Sequence, residues 1–200
     1  MANQTWIVAA SADDGHWTSS AVQYTANFVQ FSRWVSGGQI IGRGFMRWAI
    51  TIPDGSTIDS AYLKLYAQGQ AGSAFTTGIK LVDSDSCPSL PNLAFDYAVT
   101  GNVNWSLGSW TADTWYTSPD IKTLVQAFID RGGYSSGNYL GLRVDEGDAS
   151  EDNQNKWFDS FDGFPDTAAK LEVTWTPPAA TSIPVFMHHY GHHISKIIRG

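Results

Sequence analysis

Two hundred residues suit one compact domain with an extension, and a chain of that length can bury a substantial core. Charged residues make up 16%, against 19 glycines and nine tryptophans, which points to an all-β chain with many turns rather than a helical bundle or a disordered segment. The net charge of -7 argues against nucleic acid as a partner, because phosphate contact needs clustered Lys and Arg.

The start, MANQTWIVAAS, has neither a basic n-region nor an apolar h-region, so no secretion signal is expected and synthesis in a cytoplasm is. No run approaches the ~18 apolar residues of a membrane span. Cys87 is the only cysteine, so the fold has to stand on packing without an intrachain disulfide. TWIVAAS (Thr5 to Ser11) and AVQYTANFVQF (Ala21 to Phe31) are rich in β-branched and aromatic residues and read as strands. Between them, His16 lies near Asp13 and Asp14, but no nucleophile accompanies it and no catalytic role is read there.

In GFMRWAITIP, Phe45, Arg47, Ala49 and Thr51 share one face of a strand, while Met46, Trp48, Ile50 and Ile52 share the other. PDGS (Pro53 to Ser56) is a strong turn signal. STIDSAYLKLYAQG then places Ile58, Ala61, Leu63 and Leu65 inward, and the phase shift between Ile58 and Ala61 predicts a bulge or bend. GIKLVDS, NVNWSL, NYLGLRVDE, KWFDSFD and AKLEVTW bring the expected total to nine or ten strands, with no internal repeat. One segment differs. SPDIKTLVQAFIDRGG (Ser118 to Gly133) has Ile121, Leu124, Val125, Phe128 and Ile129 at helical spacing, with Ser118 as the cap, Pro119 at N1, Asp120 on the dipole and Gly132 at the end. A lone amphipathic helix of this kind is expected to cover an open end or edge of the sheets.

Between Asp145 and Asp166 lie eight of the nineteen acids. Asp145, Glu146 and Asp148, with Glu151 and Asp152, offer the oxygen ligands calcium prefers, but the spacing is not that of an EF-hand. A solvated acidic loop is the ordinary reading, and no cofactor is required. Trp17, Trp34, Trp105, Trp110, Trp115 and Trp157 fall near predicted loops or strand ends. WSLGSWTADTWY is dense enough that Trp105, Trp110, Trp115 and Tyr116, if exposed, would present flat rings to a glycan; buried, they would fill the core. With no phosphate-binding loop and no paired nucleophile and base, the chain is not read as an enzyme.

An aromatic-Arg-aromatic strand, an Ile-Pro turn and an Ile-x-Ser-Ala-x-Leu-x-Leu strand follow one another in GRGFMRWAITIPDGSTIDSAYLKLYAQG. Later come WYTSPDIKTLVQAFIDRGGYSSGNYLGLRV and WFDSFDGFPDTAAKLEVTW. In this order the patterns resemble the β-sandwich domain known as DNRLRE, to which the family-96 carbohydrate-binding modules are similar, over roughly Val8 to Trp175. The loop before the last strand carries Phe161 and Asp162 where the family often reads Ser-x-Glu, so no ligand role is carried onto it. The resemblance implies a jelly-roll-like antiparallel β-sandwich, in an all-β chain with one short amphipathic helix and a C-terminal extension. Related sandwiches occur as modules of secreted polysaccharide-degrading enzymes or surface proteins and as accessory proteins of tailed-phage particles.

The boundary is placed at 1–178 for the sandwich and 179–200 for the extension. From Ile183 onward the chain holds Lys196 and Arg199 and no acid, so the tail carries +2 and the remainder -9 of the net -7. His188, His189, His192 and His193 flank Tyr190 and Gly191. Gly191 interrupts a helix that would pair these histidines, and residues four apart in an extended chain lie roughly 13 Å from each other, so a metal site is not expected. Ile183, Val185, Phe186, Met187, His188, His189, Tyr190, Ile194 and Ile197 make a segment too short to bury its apolar groups within itself. It is read as an assembly arm that adds to a neighbouring subunit. The expectation is a capsid-decoration or tail component of a virion, non-enzymatic, whose partners are its own copies, other virion proteins and cell-surface glycans. The alternatives are a carbohydrate-binding module using surface aromatics, and a self-assembling filament or surface-layer subunit.

Overall fold

The structure, a computed structural model, describes residues 1–18, 21–34, 40–69, 72–148 and 154–179. In chain order the elements are β1 (Ala2–Ile7), β2 (Asp14–Thr18), β3 (Ala21–Gln23), β4 (Phe28–Trp34), β5 (Ile40–Ala49), β6 (Thr57–Tyr66), β7 (Phe75–Val82), β8 (Val99–Leu107), β9 (Trp115–Thr117), α1 (Lys122–Ile129), β10 (Tyr139–Val144), β11 (Asn155–Asp159) and β12 (Lys170–Thr176). The chain is an all-β sandwich of antiparallel strands with one α-helix among the described residues. No helix among them is long and apolar enough to cross a membrane.

Four strands form the smaller sheet in the order β1-β12-β6-β9. The larger runs β11-β4-β5-β10-β7-β8, with β2 paired to β5 and β3 paired to β2. Alternation along each strand sends one face inward, and the inward residues of both sheets make a single core. Met46, Trp48, Ile50 and Ile52 enter it from β5 and the turn after it, as their shared face requires. Ile58, Ala61, Leu63 and Leu65 enter from β6. The predicted bulge is present: Ser60 pairs with Thr174 and Ile58 with Trp175, so Asp59 is the extra residue that resets the phase.

Phe45, on the opposite face of β5, is buried as well. The excursion after β7 folds back over that face, and Cys87, Leu90 and Leu93 join Phe45, Trp17 and Val82 in a second, smaller cluster. Trp17 donates its indole N–H to the Leu93 carbonyl at 3.2 Å, which fixes the excursion to β2. Burial pushes the Cys87 thiol up to about 12, so it packs as a small apolar group and carries no thiolate at neutral pH.

The helix buries Leu124, Val125, Phe128 and Ile129, and it touches β6 of one sheet and β7 and β8 of the other, covering the seam between them. Its start differs from the expectation. Ser118 does not cap it; the Ser118 hydroxyl accepts the Leu63 amide at 2.9 Å, and Asp120 Oδ1 accepts the amides of Ala61 at 3.0 Å and Lys122 at 2.9 Å. Residues 118–121 therefore finish the edge of β6 before the helix begins, and unpaired strand amides take the side chains that a free helix end would use. The helix closes at Ile129, three residues before Gly132.

Candidate functional site

The aromatic segment between β8 and β9 crosses from the larger sheet to the smaller one, which decides where its rings go. Trp105 is 6% exposed and Trp110 2%. Trp110 stacks on Tyr116 at 4.7 Å, stands edge-on to Phe31 at 6.0 Å and lies 6.2 Å from Trp105. Tyr116 is half-buried and its hydroxyl accepts the Thr111 amide at 2.7 Å. Trp115, also half-buried, meets the edge of Tyr66 at 5.2 Å and has the Lys170 ammonium 4.4 Å above its ring. Of the two readings open to Trp105, Trp110, Trp115 and Tyr116, an exposed platform or core filling, the burial fits the second for Trp105 and Trp110, which close the end of the core, while Trp115 and Tyr116 are half-buried against protein partners.

The acidic segment does converge on a surface feature. After β10 the chain continues along β7, with the Asp145 amide donating to Gly78 O at 3.1 Å and the Asp148 amide to Thr76 O at 2.9 Å. Asp148 Oδ1 in turn accepts the Thr76 amide at 2.6 Å. Gly147 makes this possible: its φ of +61° suits glycine, and a Cβ there would overlap the Thr76 carbonyl and lie 2.7 Å from Thr77 Cα. On the other flank, Asn102 donates its amide to Asn104 Oδ1 at 2.6 Å, and the missing side chain of Gly78 leaves room for Asn102. Between these walls runs an open polar groove of about 430 Å³, with Thr76 and Lys80 of β7 in its floor.

Asp145, Glu146 and Asp148 all line that groove, yet their carboxylates are committed to different partners. Asp145 binds Arg143 and, at 2.6 Å, Lys80; Glu146 binds Arg43 at 3.2 Å. Among the described residues no three His, Cys, Asp or Glu side chains are grouped as a metal would require. Glu151 and Asp152 lie outside the described residues, as do Ile183, Val185, Phe186, Met187, His188, His189, Tyr190, Ile194 and Ile197 of the arm. The groove escapes sequence reading because its walls come from β8 and from the turn after β10, far apart in the chain; only the acids drew notice.

A second concentration of unusual groups lies on β2 and β5. Arg47 donates to Asp13 at 2.6 Å and to the Cys87 carbonyl at 2.8 Å, and its guanidinium stacks 4.0 Å from the Tyr139 ring. Asp14 and His16 of β2, paired with Met46 and Gly44 of β5, are buried as well. Lys156 on β11 is buried too; it donates to the carbonyls of Gly72 at 2.9 Å and Ser73 at 3.0 Å, and desolvation lowers it to about 8.

No family model matches the chain, and no curated protein does.

Proposed function

We propose that this chain is a non-enzymatic structural protein of a tailed-phage virion, a capsid-decoration or tail component that docks through residues 179–200 and displays the sandwich. One observation supports the reading: among the described residues both apolar clusters lie between Trp6 and Trp175, so the sandwich is a body with a core of its own. Phe186, Met187, Ile194 and Ile197 belong to a segment too short to bury them within itself, and burying each against another subunit would contribute roughly 1.5–3 kcal/mol. The DNRLRE-like order of strand patterns supports a displayed sandwich in such a particle. The protein works without a cofactor.

A protein ending at Thr181 should keep the melting temperature of the body but sediment as a monomer, while the full chain forms higher oligomers. Equal sedimentation of the two would overturn the arm's role.

A second reading, recognition of a neutral saccharide, is favoured by the groove. Its charges are largely matched internally, and the Asn102–Asn104 pair keeps amide donors and acceptors that no protein group among the described residues uses. Titration with neutral gluco-, manno- and xylo-oligosaccharides should show binding to at least one, weakened about tenfold by Asn102→Ala with Asn104→Ala, as expected for two lost hydrogen bonds. Binding that survives both substitutions would place the saccharide elsewhere.

A further inference from the structure

Asp14 and His16 are two residues apart on β2, so their side chains leave the strand on the same face. Both are sealed from water, at 0% and 2% exposure. Asp14 Oδ2 accepts the Phe161 amide at 2.9 Å, but Asp14 Oδ1 and His16 Nδ1 have no hydrogen-bond partner. The imidazole stacks on Phe28 at 5.4 Å, and Phe28 stacks on Trp157 at 5.1 Å. The charges that act on Asp14 are those of Asp13, from the turn before β2, and Asp162, from the turn after β11. Arg47 of β5 is already bound to Asp13, and Asp162 accepts the Ser11 hydroxyl at 2.6 Å. Burial in this apolar seat opposes a charge on either group; the flanking acids add to the penalty on Asp14 alone, while a hydrogen bond to the Phe28 backbone offsets part of the penalty on His16.

We propose that Asp14 and His16 form a matched buried pair, both uncharged in mild acid, whose opposite ionisation penalties hold the stability of the sandwich level across that range. The directions follow from burial. Desolvation raises the Asp14 carboxyl from 3.8 to about 7, and the charges of Asp162 and Asp13 add to it. Desolvation lowers His16 from 6.5 to about 4. The raised carboxyl contributes stability that is full below its unfolded value of 3.8 and is lost as pH rises through about 7. The lowered imidazole contributes stability that is full above its unfolded value of 6.5 and is lost as pH falls through about 4. Over the shared window the two slopes have opposite sign and largely cancel.

The single variants of the full chain separate them. Between pH 5 and pH 7 the folding equilibrium constant of the natural protein should change by only about twofold from this pair. Asp14→Asn, which keeps an acceptor for Phe161, leaves the histidine slope, a roughly twentyfold rise in that constant with pH. His16→Gln leaves the carboxyl slope, a roughly fiftyfold fall. His16→Phe preserves the stack on Phe28 and serves if the glutamine variant does not fold. Denaturant titrations at intervals across this range read all of these, and an NMR titration of the His16 ring in the natural protein provides a check without substitution. Opposite slopes in the two variants and a ring still neutral at pH 5 support the pair; variants that keep the natural profile, or a ring that titrates near 6.5, overturn it.

Discussion

Replacing Trp110 with alanine should lower the free energy of unfolding by about 3–5 kcal/mol, the cost of emptying a large aromatic site in a packed core. The ring is 2% exposed and spans the crossing from β8 of one sheet to β9 of the other, in contact with Phe31, Trp105 and Tyr116. Its loss leaves a cavity at the end of the sandwich, bounded by rings that cannot collapse without moving both sheets. A tryptophan that served as an exposed sugar platform would behave otherwise, since surface substitutions usually stay within about 0.5 kcal/mol. A denaturant titration of Trp110→Ala therefore separates the two uses directly. A change smaller than about 1 kcal/mol would put the ring outside the core.

The second large effect is expected at Gly147. Alanine there is strained by the positive φ and would press its Cβ into the backbone of Thr76 and Thr77, neither of which can turn away as a side chain could. The left-handed strain and the forced shift together should cost roughly 2–4 kcal/mol. The damage is local in origin: the turn from Asp145 to Asp148 would lift from β7, weakening the Thr76–Asp148 hydrogen bonds and spreading the groove. Thermal unfolding should show the loss, and amide exchange at Thr76 should show its place. Faster exchange at Thr76 with β5 and β12 unchanged is the expected pattern; unaltered stability would mean that the turn is not clamped as described.

Much of the body is legible in the sequence because it depends on period. The two faces of β5, the apolar stripe of α1 and the bulge at Asp59 all follow from residues spaced two, three or four apart, and each is found where the spacing puts it. What is not legible depends on meetings between distant segments. β2 is missed because its buried positions include Asp14 and His16, which a hydrophobicity pattern assigns to the surface. The second cluster is missed because Cys87, Leu90 and Leu93 lie in an aperiodic excursion that reveals its purpose only when it covers Phe45. Ser118 and Asp120 have the chemistry of a helix start, but β6 reaches them first. Of the groove only the acids Asp145, Glu146 and Asp148 have a local signature. Its asparagines and its glycine-dependent turn acquire meaning only when β7 brings them together.

The position of β12 bears on how the protein would carry load. It runs between β1 and β6, laddered to both, and it is the last strand among the described residues. A tug applied beyond Thr176 would act along the strand, at right angles to the hydrogen bonds on each side. Rupture would then require both ladders to slip at once rather than open one rung at a time, which suits a body tethered by that end.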